Sequence, residues 1–161
     1  MKTFTLLLLP LVASLAGAQE INLQTRFGYE KNTKDYPQKN PQETLKSIVK
    51  AYDLQRLDYL LAHLADPLFI DSRVEFYKKN TKLGTDLARG ILAFDRVVGE
   101  IDQHFLEDAS LMRELHAIAK DGDWEIDADT AVGTTPQLQG RAVYMRKVQD
   151  AWFLENRQRK R

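Results

Sequence analysis

Apolar residues recur at intervals of three and four positions through the first two thirds of the chain. Two such stripes are Leu45, Ile48, Val49 and Tyr52, followed by Leu57, Leu60, Leu61 and Leu64. This spacing places each set on one face of a helix. Asn40 is a suitable N-cap and Pro41 fits the first helical position, so the first helix is expected to begin there. Asp66 and Pro67 are expected to end the second helix.

The middle of the chain predicts one short extended piece and three further helices. The apolar run at residues 68–70 is expected to be a short strand or an extended crossing, and Ser72 with Glu75 forms a capping box that opens a helix. The next apolar stripe comprises Leu87, Ile91, Phe94, Val98, Ile101 and Phe105. It predicts a long helix from about residue 85 to 106, and a last helix follows over residues 108–121.

After Gly122 the apolar period changes from that of a helix to that of a strand. Trp124 and Ile126 alternate with acidic residues, and residues 131–134, 141–148 and 151–156 predict three further strands with short connections. Such a run is typical of an antiparallel meander. The sequence therefore predicts an α+β fold, with N-terminal helices packed on one face of a C-terminal antiparallel β-meander.

The N-terminus has the layout of a secretory signal peptide. A short positive start precedes an apolar stretch, and Ala16-Gly17-Ala18 supplies a small-residue cleavage signal. The alternative is a membrane anchor, but the apolar stretch is about 14 residues whereas a spanning helix needs about 20. We therefore expect residues 1–18 to be a signal peptide cleaved after Ala18, and the mature protein to be secreted or periplasmic.

The remaining chain divides into three parts. Residues 19–39 are polar and rich in turn formers, so they are expected to be a flexible linker. Ile21, Leu23, Phe27 and Tyr29 are the residues by which part of this linker could dock on the domain. Residues 40–156 are expected to form a single α+β domain. Residues 157–161 are a basic tail, interpreted either as a solvated end or as a contact for an anionic surface or an acidic partner.

Composition excludes several classes of function. The chain has 23 basic and 23 acidic side chains, and this balance argues against nucleic acid as a partner, because phosphate binding needs a basic excess. It has no cysteine, which excludes disulfides, thiol nucleophiles and thiolate zinc sites. No stretch after the signal peptide is long and apolar enough to predict a transmembrane segment in the mature chain.

Two parts of the chain resemble a known superfamily. The first is Pro41-Gln42-Glu43-Thr44-Leu45, followed by Ala51-Tyr52-Asp53 and Leu57-Asp58-Tyr59-Leu60-Leu61-Ala62-His63-Leu64-Ala65-Asp66-Pro67. The second is Trp124-Glu125-Ile126-Asp127, followed by Val143-Tyr144-Met145-Arg146-Lys147-Val148 and Trp152-Phe153-Leu154-Glu155-Asn156. These pieces resemble the nuclear transport factor 2-like (cystatin-like α+β) superfamily, including exported members of unknown function. The superfamily contains isomerases, dehydratases and non-catalytic binding domains, so the resemblance implies a fold and leaves the reaction open.

The candidate chemistry is of two kinds. An acid/base site in an apolar cavity would combine a carboxylate with a tyrosine donor, and the residues of those types are Tyr59, Asp66, Asp71 and Tyr144. A ligand pocket would be lined by His63, Phe69, Phe94, Trp124 and Trp152. The structural alternative is a helix-end carboxylate, half-buried tyrosines, and aromatics that pack the core.

Metal and cofactor sites are not expected. His104 and Glu107 are three residues apart and supply half of a metal site, whereas a full site needs three or four converging ligands. His116 belongs to a different predicted helix. The chain also lacks a Gly-x-Ser-x-Gly nucleophile motif and a glycine-rich phosphate loop.

The sequence favours an exported, non-catalytic domain that binds a protein partner or a small apolar ligand. One alternative is a small acid/base enzyme of isomerase or dehydratase type, with a pocket between the helices and the sheet. Another is a module that associates through the helical face of residues 85–120, for which a homodimer is one outcome. The sequence does not distinguish which partner or ligand is bound.

Overall fold

The computed structural model describes residues 21–82, 84–107, 109–138 and 140–156, without the side chains of residues 104–109. The signal peptide and the basic tail predicted from the sequence lie outside the described residues. The helices are α1 (Pro41–Asp53), α2 (Leu57–Tyr59, continued by a π-helical turn at Leu60–Leu64), α3 (Pro67–Lys79), α4 (Asp86–Glu107) and α5 (Ala109–Asp121). None of the helices in these ranges is both long and apolar enough to cross a membrane.

The C-terminal strands form one antiparallel sheet. They are β3 (Asp123–Ile126), β4 (Thr130–Thr134), β5 (Val143–Val148) and β6 (Ala151–Leu154), in the spatial order β3-β4-β5-β6. Each strand pairs with the next one along the chain, so the sheet is a meander. The prediction of an α+β fold with a C-terminal antiparallel meander is confirmed.

The main core lies between the helices and one face of this sheet. Ala131, Val143, Met145 and Trp152 point into it from the strands, and all four are buried. Because side chains alternate across a strand, Tyr144 and Arg146 point to the opposite face. We call the core side of the sheet its inner face and the other side its outer face.

Helix α1 forms where its sequence predicted it. The Asn40 side chain accepts a hydrogen bond from the backbone N–H of Glu43 at 2.8 Å, and Pro41 occupies the first helical turn. Leu45 and Ile48 are fully buried on the apolar face of this helix. The cap and the apolar stripe thus specify the same helix, and the stripe carries it onto the core.

Helix α3 begins earlier than predicted. Residues 68–70 are helical, so the expectation of a short strand or extended crossing there is wrong. Asp66 is the N-cap, since its side chain accepts from the Leu68 N–H at 2.9 Å, and Pro67 takes the first helical position. Asp66 and Pro67, which were expected to end the second helix, therefore also start α3. Proline is compatible with both positions, because it fits the first turn of a helix as well as the residues that follow a helix end. Ser72 lies inside α3 and does not cap it.

Residues 21–39 are packed on the domain. Within them, β1 (Thr25–Arg26) and β2 (Tyr29–Glu30) form a small hairpin. Phe27 in its turn stacks on Phe94 of α4, with ring centroids 4.3 Å apart. Leu23 packs with Phe153 on the outer face of β6. This packing corrects the expectation of a flexible linker at residues 19–39, as far as those residues are described.

Candidate functional site

Tyr59, the first candidate acid/base residue, is held by the N-terminal segment. Its side chain is buried, its hydroxyl oxygen accepts from the Asn32 backbone N–H at 2.9 Å, and its ring stacks on Tyr36 at 4.4 Å. Burial raises the pKa of Tyr59, and the hydrogen bond from Asn32 opposes that rise. The hydroxyl is thus a neutral anchor for residues 32–36.

The two candidate carboxylates are each held by an arginine. Arg26 donates to both carboxylate oxygens of Asp71, at 2.6 and 3.2 Å, and its own side chain is almost fully buried. Asp66 caps α3 and lies 3.5 Å from the guanidinium of Arg146 on β5. Both carboxylates are therefore engaged in structural ion pairs with an arginine.

Tyr144, the fourth candidate, lies on β5. Its neighbour on β4 is Val132, and it points to the outer face of the sheet. Tyr59, in contrast, belongs to the core on the inner side. The structure therefore does not bring Tyr59 and Tyr144 into one acid/base pocket.

Three of the candidate ligand-binding residues are packed inside the core. His63, Phe94 and Trp152 are all buried, and Phe94 is covered by Phe27. The Nε2 atom of His63 lies 2.8 Å from the Tyr29 carbonyl oxygen. Burial lowers the pKa of His63, so its neutral ring donates this bond. These side chains fill the core and fix the hairpin.

Phe69 and Trp124, the other two candidates, are partly buried and pack against the main core. Trp124 lies across Gly133 on the neighbouring strand, and a β-carbon at that glycine would stand 2.8 Å from its ring. A depression of about 370 Å³ occurs elsewhere on the described surface, lined by residues 21–24 and Gln149. None of the five candidates lines it.

Metal-ligand geometry is absent from the described residues, where no group of three or more histidine, cysteine or acidic side chains converges. The side chains of His104 and Glu107 lie outside the described part. His116 on α5 instead pairs with Asp53 at the end of α1, at 3.1 Å between Nε2 and a carboxylate oxygen.

The two edges of the sheet differ. The edge at β6 is occupied, because Gln38 accepts from the Trp152 N–H at 3.1 Å and its side-chain amide donates to the Trp152 carbonyl at 2.9 Å. The Asp66 N–H donates to the Leu154 carbonyl on the same edge. The edge at β3 has β4 on one side and, among the described residues, no strand on the other.

The backbone of β3 alternates between the two sides. The Asp127 N–H donates to the Thr130 carbonyl, which continues the β3–β4 ladder by one residue pair. In an antiparallel ladder every second residue exchanges such bonds with its partner. Asp123, Glu125 and Asp127 therefore direct their N–H and C=O groups to β4. Trp124 and Ile126 direct theirs to the open side.

The side chains of β3 also alternate in charge. Asp123, Glu125 and Asp127 are exposed on the outer face, while Trp124 and Ile126 are on the inner face. Neither Asp123 nor Glu125 forms an ion pair or a side-chain hydrogen bond with another described residue. Within the described part of the chain, the open edge is thus a row of backbone groups without a strand partner beside a row of acidic side chains without a cationic partner. We call this feature the acidic edge, defined as residues 123–127.

The acidic edge was not among the sites predicted from the sequence. Its signal is visible there, since acidic residues occupy positions 121, 123, 125, 127 and 129 at every second place. Read alone, that pattern is a solvated strand face. Only the sheet order, which places this strand at the end, turns it into an open edge.

No protein-family model, curated protein or solved structure matches this chain.

Proposed function

We propose that this protein is an exported, non-catalytic domain of nuclear-transport-factor-2-like type, which binds a partner protein by accepting an extended basic segment at its acidic edge. The binding mode is β-strand addition, in which a peptide lengthens a sheet by one strand. The observation that carries the proposal is the open side of β3, where the backbones of Trp124 and Ile126 face outward beside exposed acids.

The backbone groups of the acidic edge supply the affinity in this proposal. Two residues offer two N–H donors and two C=O acceptors, enough for four hydrogen bonds to an incoming strand. Unpaired edges of this kind are templates for strand pairing. The opposite edge is already occupied by Gln38 and Asp66, so added strands are directed to β3.

The charges of the acidic edge supply the selectivity. Residues opposite one another in a sheet share a face, so the incoming residues beside Asp123, Glu125 and Asp127 lie on the outer face. Lysine or arginine there forms cross-strand ion pairs, whereas acidic residues are repelled. The acids also discourage edge-to-edge pairing with most other strands, a device that open edges use against aggregation. The preferred segment therefore has a basic residue at every second position.

The surroundings of the candidate catalytic groups support a non-catalytic role. Asp71 and Asp66 are ion-paired, and the Tyr59 hydroxyl is engaged by Asn32. A general base requires an unengaged group with a pKa tuned towards neutrality. The acid/base alternative and the apolar-ligand alternative are correspondingly less well supported than strand addition.

Peptide binding tests the proposal. A fluorescent octapeptide of alternating lysine and valine is titrated with a variant of the protein that ends at Asn156, and binding is followed by fluorescence anisotropy. The control is an octapeptide of alternating glutamate and valine. We expect saturable binding of the basic peptide alone. In the triple variant D123N/E125Q/D127N the dissociation constant is expected to rise roughly tenfold, because three cross-strand pairs are lost.

The matched control for charge is D95N/D102N/E30Q, which removes three exposed acids elsewhere on the domain. It is expected to bind the basic peptide as the parent does. Equal weakening in both triple variants would show non-specific attraction between a cation and an acidic protein, and would overturn the proposal.

The export part of the proposal has its own test. Expression of the full chain in a secreting bacterial host, followed by N-terminal sequencing of the protein outside the cytoplasm, is expected to give a mature N-terminus at Gln19. Cytoplasmic retention of the uncleaved chain would contradict export.

A further inference from the structure

We infer that the segment accepted by the acidic edge is residues 157–161 of a second copy of this chain. The inference rests on the proposed function of that edge and adds the identity of the partner. The segment reads Arg157-Gln158-Arg159-Lys160-Arg161 and lies outside the described residues. It is the most basic five-residue stretch of the chain, and it follows directly on Asn156, the last residue that the structure describes.

Residues 157–161 and the acidic edge carry opposite charges with the same spacing. Arginine occupies every second position of residues 157–161, as acid occupies every second position of residues 123–127. In an antiparallel pairing the opposed residues would be Arg157 and Asp127, Arg159 and Glu125, and Arg161 and Asp123. All three pairs then share the outer face, because opposed residues of neighbouring strands point the same way. A single register thus satisfies three charges on each side.

The inner face of the same pairing is also complementary. Lys160 would stand beside Trp124, where its alkyl stem covers the ring and its ammonium group faces solvent. Gln158 would stand beside Ile126, whose side chain is 53 % exposed. The backbones of Gln158 and Lys160 would meet the outward N–H and C=O groups of Ile126 and Trp124.

The geometry of the sheet excludes this register within one molecule. Strand β6 lies three positions from β3, and the open side of β3 is one spacing further. At about 4.8 Å per spacing, that side is roughly 19 Å from β6. Glu155 still donates its N–H to the Tyr144 carbonyl of β5, and the two peptide steps from Glu155 to Arg157 cover at most about 8 Å. In this register, Arg157 can therefore lie opposite Asp127 of a neighbour but cannot reach Asp127 of its own chain.

Another way for two copies to meet at this edge is disfavoured. Pairing β3 with the β3 of a second copy would oppose acids to acids, and like charges directly opposite one another destabilise a strand pair. The tail is basic and carries the matching alternation, so it is the segment of a second copy that fits. The resulting contact joins two different surfaces, tail and edge, and is therefore heterologous or reciprocal between copies.

Self-association of the mature chain tests the inference. Sedimentation velocity over a concentration series in 50 mM salt is expected to show assemblies larger than a monomer for residues 19–161. Deletion of residues 157–161 and the variant D123N/E125Q/D127N are each expected to give monomers, whereas D95N/D102N/E30Q associates as the parent does. A parent that stays monomeric across the series would overturn the inference.

A backbone test separates strand addition from charge attraction alone. Ile126→Pro removes an N–H that faces the open side and leaves the ladder to β4 intact, since proline is tolerated on edge strands in that orientation. Its charge is unchanged, so loss of association indicates strand pairing. Association that survives I126P at the parent's strength would overturn the inference. Ile126→Thr, which keeps the N–H, is the matched control and is expected to associate.

Failure of the inference and failure of the proposed function are distinguishable. The probe is a synthetic peptide with the sequence of residues 157–161, flanked by glycines and titrated into the variant that ends at Asn156. Lysine–valine binding without binding of this peptide would leave the proposed function standing and overturn the inference. Absence of binding for both peptides would overturn both.

Discussion

At the residue scale, Arg26 links the N-terminal segment to the helices. Besides its ion pair with Asp71, its Nε donates to the Ala62 carbonyl at 2.7 Å in the buried interior. It is charged, and its side chain is only 5 % exposed, so its partners compensate a large desolvation cost. Arg26 lies in a polar stretch that predicts a linker, yet it forms one of the buried ionic contacts of the fold.

Arg26→Ala is expected to lower the free energy of unfolding by about 2 to 3 kcal/mol, because it leaves a buried carbonyl without a donor and frees Asp71 from its pair. The measurement is urea unfolding followed by circular dichroism. Arg56→Ala is the control, since Arg56 pairs with Asp58 at the surface, with 46 % of its side chain exposed. It should cost less than about 1 kcal/mol, and an equal loss in both variants would contradict the account.

His63 makes stability depend on pH. Its pKa is lowered in the fold, chiefly by burial, so the unfolded chain binds this proton more readily than the folded one. The contribution of the neutral ring is present above pH 6.5 and declines as the pH falls below it, by up to about 1.4 kcal/mol per pH unit. We expect the melting temperature to fall between pH 7.5 and 5.5, and to fall less in His63→Gln. Equal slopes would show that His63 is not responsible.

At the element scale, strands β3 and β4 are matched by a large residue opposite the smallest one. Trp124 and Gly133 are register partners, and the indole covers the glycine. The tryptophan also contacts the main core, so it ties the edge strand to the domain. This contact therefore helps to fix the position of the acidic edge.

Two glycine substitutions are expected to change stability in opposite directions. Gly133→Ala places a methyl group 2.8 Å from the Trp124 ring and is expected to cost about 1 to 3 kcal/mol by overpacking. Gly99→Ala, in α4 with nothing within 4 Å, is expected to stabilise the fold by about 0.5 to 1 kcal/mol. Chemical unfolding gives both values. A stabilising Gly133→Ala would contradict the close packing of Trp124.

Most of the helices and strands could be predicted from the sequence. The cap at Asn40, the apolar stripe of α1 and the alternation after Gly122 each reflect local chemistry that a periodic pattern displays. The start of α3 was misplaced because Asp66-Pro67 is compatible with a helix end and with a helix start, and the choice depends on neighbours distant in the chain. One of these is Leu154, whose carbonyl accepts from the Asp66 N–H.

At the scale of the whole molecule, the contacts around the candidate site residues could not be predicted from the sequence. The ion pair of Arg26 spans 45 positions, and the bond from Gln38 to Trp152 spans 114. Such contacts leave no periodic pattern in the sequence. Two of the expected acid/base residues, Tyr59 and Asp71, therefore proved to be anchors of the N-terminal segment. The acidic edge was visible as a pattern, but its meaning depends on which strand ends the sheet.

One edge of the sheet is closed by the N-terminal segment together with the start of α3, and the other edge is open, where we propose that a partner binds. Gln38 and Asp66 pair with β6, while β3 presents outward backbone groups and three acids. This asymmetry explains why strand addition is assigned to one edge.

Amide hydrogen exchange at β3 tests this claim most directly. In the variant that ends at Asn156, the Trp124 and Ile126 amides face the open side, whereas the Glu125 amide already bonds to β4. We expect saturating lysine–valine peptide to slow amide exchange at Trp124 and Ile126 and to change exchange at Glu125 much less. Unchanged exchange at Trp124 and Ile126 while the peptide is bound would contradict this claim.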